Sequence, residues 1–271
     1  MRTAPPTLAV AAFVTLVVAT VAAFFVTQHL KVSTPLIQYK PAPVPSTINP
    51  VYGGICPRRN GKGQIVLTNY ARMHISFYLQ NRSDNVTVQI VHNGTPVQTI
   101  GNNVFMRADP PRRHKFVWNG RLANGSIAPA GVYYVKVSLL HQGRSLTISN
   151  ATAPLPVTVE TTRPQVRVTS VTPASIAHGP GTSVTIRYTG TGSLRPRILI
   201  FRVTGATTRQ VKNFAATSKS GSSTWDGTLA GGRPAPSGSY LVAVRVTDKA
   251  CTIGTSPTTV AGAPHAVVTV G

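Results

Sequence analysis

Acid is what this chain most lacks: five Asp or Glu stand against 27 Lys or Arg in 271 residues, a formal charge of +22. Carboxylate-pair catalysis and calcium coordination both draw on a pool that is nearly empty. Cysteine is as scarce. Cys56 and Cys251 are the only two, and they fall in different halves of the chain, which excludes a disulfide inside each half and a four-thiolate metal knot. The histidines (His29, His74, His92, His114, His141, His178 and His265) are scattered, at no spacing that gathers metal ligands. A phosphate-cradling loop is missing too, because Gly61-Lys62-Gly63 has neither the flanking pattern nor a following helix. The expectation is no catalytic, metal or cofactor site, and no enzyme.

What the chain does have is Val, Thr, Ser, 23 Gly and 22 Pro. Poor in Leu, Glu and Lys, such a composition favours strands joined by tight turns over helices. Its length suits roughly two domains. Positive charge is spread evenly: residues 51–160 hold twelve Lys/Arg against Asp84, Asp109 and Glu160, a net of +9, and residues 163–271 hold twelve against Asp226 and Asp248, a net of +10. That excess speaks to solubility and anionic partners rather than to fold.

One long apolar run breaks the pattern. Leu8 to Val26 carries no charge, and at about 1.5 Å per residue it reaches roughly 30 Å, the thickness of a bilayer's hydrocarbon core. A cleavable signal peptide is the competing reading, with Thr20-Val21-Ala22 before the cut. Phe24, Phe25 and Val26 continue the apolar run beyond that point, which favours an uncleaved signal anchor over residues 1–31. The body is expected outside the cytoplasm, although Arg2 on one side and Lys31 and Lys40 on the other give little charge bias. Gly53-Gly54-Ile55-Cys56 is not a lipoprotein signal, since it lies far beyond the apolar run and has Ile55 where a small residue is needed. Residues 32–50 hold five prolines and are expected as a semi-extended linker or stalk.

The body repeats itself. WNGRLANGSIAPAGVYYVKV (Trp118 to Val137) returns as WDGTLAGGRPAPSGSYLVAV (Trp225 to Val244), and the offset of 107 holds through Gly120/Gly227, Leu122/Leu229, Gly125/Gly232, Pro129/Pro236, Gly131/Gly238 and Tyr133/Tyr240. Asn119-Gly120 and Asp226-Gly227 are turn dipeptides, so Asp226 is read as a turn former. Beyond the turns, Tyr133, Val135, Val137 and Leu139 alternate with Tyr134, Lys136, Ser138 and Leu140; in the copy Tyr240, Val242, Val244 and Val246 alternate with Leu241, Ala243, Arg245 and Thr247. Period two with one apolar face means a half-buried strand on a second layer. Further strands are expected at His74 to Leu79, Val86 to Val91, Pro96 to Ile100, Val166 to Val171, Ser183 to Tyr188 and Arg197 to Val203, with a hairpin turn at Asn93-Gly94. The fold expected is all-β: two immunoglobulin-like sandwiches, 51–160 and 163–271. Trp118 and Trp225 are read as core anchors and not as exposed stacking platforms. Cys56 and Cys251 could join to each other; spacing alone does not decide it.

The pattern W-[DN]-G, then Gly125 or Gly232, then P-x-G-x-Y and alternating valines resembles the immunoglobulin-like domain at the end of the flagellar hook-capping protein FlgD. The likeness is good over Trp118 to Leu139 and Trp225 to Val246 and schematic upstream. It implies an Ig-like module of a kind found in tandem in exported bacterial proteins; with an anchor in place of the hook-binding region, it implies no flagellar role. The function expected is a non-enzymatic, membrane-anchored scaffold, spacer or adhesion module at a bacterial cell surface, with other surface proteins or anionic cell-wall polymer as partners. The alternatives are a basic binder of anionic polymer, nucleic acid being disfavoured for want of interleaved aromatics, and an accessory module of an exported enzyme complex.

Overall fold

Residues 6–33, 37–38, 41–150, 152–178, 181–190, 196–217 and 221–271 are described in the computed structural model of the chain. Helix α1 (Pro6–Ser33) contains the apolar run. Its window Val10–Thr27 has mean hydropathy 2.5 and no buried part, so it is long and apolar enough to cross a membrane. The polar groups within it are threonine hydroxyls, and Thr15, Thr20 and Thr27 donate to the carbonyls of Ala11, Leu16 and Ala23, four residues back. Satisfied this way, they cost little in hydrocarbon.

After α1 come β1 (Ile37–Gln38), β2 (Thr47–Ile48), β3 (Ile55–Arg59), β4 (Ile65–Asn69), β5 (Met73–Leu79), β6 (Asp84–His92), β7 (Thr95–Met106), β8 (His114–Trp118), β9 (Gly131–Leu139), β10 (Arg144–Thr147) and β11 (Val157–Val159). They build a sheet in the order β1-β5-β8 and a larger one in the order β2-β11-β9-β6-β7, with β10 added to β9. Strand periodicity is the cause: Met73, Ile75, Phe77 and Leu79 of β5 face Val86, Val88 and Ile90 of β6 and Tyr133, Val135 and Val137 of β9 in one core. Asn93 (φ 49°) and Gly94 (φ 80°) both sit in the left-handed region and turn β6 into β7. Strand β7 runs past the expected end at Ile100 to Met106. Asn103, at φ 51°, lies where the β6–β7 register slips between Val86 and Val88, so the strand continues past Ile100 through a bulge.

The second series is β12 (Val166–Thr172), β13 (Ser175–Ile176), β14 (Val184–Gly190), β15 (Arg197–Thr204), β16 (Thr207–Ala215), β17 (Gly221–Trp225), β18 (Gly238–Thr247), β19 (Ile253–Ser256) and β20 (Val267–Val270). Its sheets run β12-β14-β17 and β13-β20-β18-β15-β16, with β19 added to β18. Strand for strand this repeats the first series, down to the parallel pairs β2/β11 and β13/β20. The chain is therefore two immunoglobulin-like β-sandwiches, each around its own core. Among the described residues, the hairpin β3–β4, a separate two-stranded sheet, has no counterpart in the second.

Two expectations change. The described part of the proline-rich stretch expected as a stalk is not free: β1 pairs with β5, Val44 bridges His74, and β2 pairs with β11, leaving Ile48 fully buried. Two-residue edge strands tolerate neighbouring prolines, because an edge needs few donors. Three residues separate Ser33 from Ile37, so the first sandwich begins within roughly 15 Å of the helix end. The alternation of β18 is also incomplete, since Leu241 and Ala243 are buried along with Tyr240, Val242 and Val244. Ala243 lies opposite Leu199, itself buried, so this stretch is covered on both faces.

Candidate functional site: tryptophan turns and a stapled junction

The repeated phrase folds into the same device twice. Trp118 Nε1 donates to the Arg121 carbonyl and Trp225 Nε1 to the Thr228 carbonyl, both at 2.7 Å. Tyr133 lies against Trp118 with ring centroids 5.1 Å apart, and Tyr240 against Trp225 at 5.4 Å. Each tyrosine then donates its hydroxyl to the proline carbonyl four residues back, Pro129 at 2.9 Å and Pro236 at 2.6 Å. Burial pushes the titration of both phenols up, with Arg202 pulling weakly the other way at Tyr240; the hydroxyls stay protonated donors. Gly120 (φ 70°) and Gly227 (φ 66°) hold the turn conformation that a side chain would strain. Gly125 and Gly232 donate to the carbonyls of Leu122 and Leu229 in the next turn, and Gly131 and Gly238 start the following strands.

Both indoles are all but unexposed. Each hides on the order of 200 Å², about 5 kcal/mol before the entropy of ordering it is subtracted. Trp118 and Tyr133 belong to the first core and Trp225 and Tyr240 to the second, so the two sets line no common cleft. Asp226 accepts from Thr228 N and Oγ1, as expected of a turn former, and also from Lys212 Nζ at 2.8 Å. Burial would raise its carboxyl, but these donors and the lysine's charge hold it down to about 2. No local pattern points to the lysine, which reaches over from β16.

The two cysteines meet. Cys56 on β3 is bonded to Cys251 in the β18–β19 turn, Cα atoms 6.1 Å apart across a sequence separation of 195. The hairpin β3–β4 thus staples the first sandwich to the second. Close approach explains Gly53-Gly54: a Cβ at Gly53 would lie 2.5 Å from the Asn49 and Tyr70 carbonyl oxygens, and one at Gly54 would lie 3.0 Å from Cys251 O. Around the staple, buried Asn49 donates to the Thr162 carbonyl at 2.9 Å and accepts from Val51 N and Tyr52 N. Arg163 covers the Tyr52 ring 4.7 Å from its centroid. Glu160 at the end of the first sandwich shares a hydrogen bond with Asp248 of the second; burial, then the second carboxylate, raise its pKa.

The remaining acid chemistry is structural in form. Asp84, its side chain fully buried, accepts from Asn85 N, His141 N, His141 Nδ1 and Gln142 N at 2.7–3.1 Å. Burial acts to raise its pKa, but those bonds outweigh it and the net direction is down. The carboxylate clamps the β9–β10 turn, as Asp248 Oδ1 clamps the β18–β19 turn through Thr252 N. Among the described residues no three His, Cys, Asp or Glu come together as a metal site. Asn49, Tyr52, Asp84 and Glu160 were not singled out by the sequence; a lone acid opening a strand was the one available sign, at Asp84.

No protein-family model matches the chain, and no curated protein matches it. Solved structures similar to it include dimeric latent PorU from Porphyromonas gingivalis, at 12% identity and TM-score 0.29 over 73% of this chain and 18% of that one. The N-terminal four Ig domains of Dscam1 isoform 7.44 are similar at 10% identity and TM-score 0.21, over 83% of this chain and 42% of that one. The chain spans less than half of either structure.

Proposed function

We propose that this chain is a membrane-anchored, non-enzymatic protein whose two immunoglobulin-like modules, of the FlgD type, serve as a stiff spacer or interaction scaffold outside the cytoplasm of a bacterial cell. The observation that carries this reading is the Cys56–Cys251 bond between the sandwiches. Disulfides persist in oxidising compartments, and a covalent link across a module junction restrains the modules' relative motion, which matters to a spacer. Support also comes from α1, apolar enough to hold the body at a bilayer, and from the Trp-Gly-Tyr device that closes each sandwich. Contacts to other surface proteins or to anionic wall polymer would be made by edges and loops, as is usual for such scaffolds.

The test expresses the full chain in a bacterial host. The expected protein resists carbonate extraction from membranes, has no thiol open to alkylation without reductant, and is digested when protease is added to intact spheroplasts. Carbonate release would remove the anchor. Two alkylatable thiols, or a body protected until the cells are lysed, would overturn the exported reading.

A further inference from the structure

The hairpin β3–β4 does more than carry a cysteine. With the outward face of β5 and β8 it encloses an open cleft of about 680 Å³. Arg58 enters from β3, Arg72 from the turn before β5, His74 from β5 and Lys115 from β8, while Leu67 and Val117 supply apolar wall. His74 and Val117 lie directly opposite each other in the β5–β8 ladder, and Lys115 is two residues from Val117 on the same face. Among the described residues no Asp or Glu lines the cleft, and no Phe, Tyr or Trp does.

We propose that this cleft binds an anionic polymer carrying phosphate or carboxylate groups along a sugar or polyol backbone. Three cations converge there without a lining carboxylate, so their mutual repulsion is relieved when an anion enters. The field is felt inside the site: burial, then Lys115, Arg113 and Arg58, hold His74 below its ordinary titration range. Leu67, 76% exposed, and Val117, 43% exposed, offer apolar surface to the carbon backbone between charges, which a small inorganic anion would leave uncovered. Lacking an aromatic platform, the cleft is poorly suited to bases of a single-stranded nucleic acid. The staple at Cys56 fixes the base of the hairpin that forms one wall. This goes beyond the spacer reading and does not depend on it, because purified chain suffices for the test.

The full chain in zwitterionic micelles is titrated with a carboxylate polymer (polygalacturonate), a phosphate polymer (poly-glycerol phosphate) and inorganic phosphate, following the His74 imidazole by NMR, assigned with His74→Gln. At least one polymer is expected to raise the His74 pKa saturably, with affinity falling steeply as salt rises; which one does so identifies the charged group. Arg58→Glu with Lys115→Glu is expected to weaken binding at least tenfold, whereas Arg202→Glu with Arg209→Glu on the second sandwich leaves it unchanged. A His74 resonance unmoved by either polymer, an equal response to inorganic phosphate at matched charge, or equal losses in both double variants would overturn the proposal.

Discussion

Removing the staple tests how the two sandwiches support each other. If the second sandwich unfolds while Cys56–Cys251 is intact, its chain stays tied at Thr162, held by Asn49, and at Cys251, held by the hairpin. The closed loop of roughly 90 residues forfeits about 4–5 kcal/mol of chain entropy that an open chain would keep. Some of this is lost because real unfolded chains are compact, so about 3–5 kcal/mol is expected. The measurement is native-state hydrogen exchange on full chain in micelles, oxidised against Cys56→Ser/Cys251→Ser, reading the amides of β18. Those amides are fully enclosed by core residues Val242, Val244 and Val246, so they exchange through opening of the whole module. Between about a hundred-fold and several-thousand-fold faster exchange is expected in the double variant. Amides of α1, outside the loop, serve as the internal reference and should not change. Equal β18 exchange in both proteins would refute the reasoning: the sandwiches would then be independent despite the bond.

Three further outcomes follow from named contacts. Asp84→Ala removes four hydrogen bonds to a buried carboxylate and should cost about 3 kcal/mol, lowering the first module's Tm by roughly 10 °C or more. Because the folded pKa of Asp84 is depressed, its stabilisation is present above the unfolded value of about 3.9 and disappears as pH falls through the folded one; melts of the wild type should show this acid limb and those of Asp84→Ala should lack it. Trp118→Phe and Trp225→Phe each orphan one carbonyl, of Arg121 or Thr228, and shrink a packed ring; urea titrations should give about 2–3 kcal/mol for each, and losses differing by more than about twofold would show that the two turns are not equivalent. Glu160, with its pKa raised, stabilises the junction fully below its unfolded value and loses that contribution as pH rises through the folded one; Glu160→Gln should be more stable than wild type at pH 7, and thermal melts from pH 4 to 7 with identical slopes would contradict this.

The sequence by itself determined whatever depends on neighbours along the chain. Asn93-Gly94, Asn119-Gly120 and Asp226-Gly227 specify turns because only certain residues accept positive φ. Alternation over Tyr133 to Leu139 announces a half-buried strand, an uncharged run announces a helix of bilayer length, and an offset of 107 held without a gap announces duplication. The core tryptophans were legible for the same reason, since each is bound to a carbonyl three residues on. Tertiary structure decided the rest. Two-residue strands such as Ile37–Gln38 and Thr47–Ile48 have no period to read, so pairing alone makes them edges and turns an apparent stalk into part of a sandwich. Burial of Leu241 and Ala243 on the second face depends on what lies over the sheet. The meeting of Cys56 with Cys251, the sharing of a hydrogen bond by Glu160 and Asp248, and the convergence of Arg58, His74 and Lys115 beneath one hairpin are long-range contacts. Their partners are separated by up to 195 residues, and which of them approach is set by how strands and cores pack, a collective outcome that no local pattern encodes.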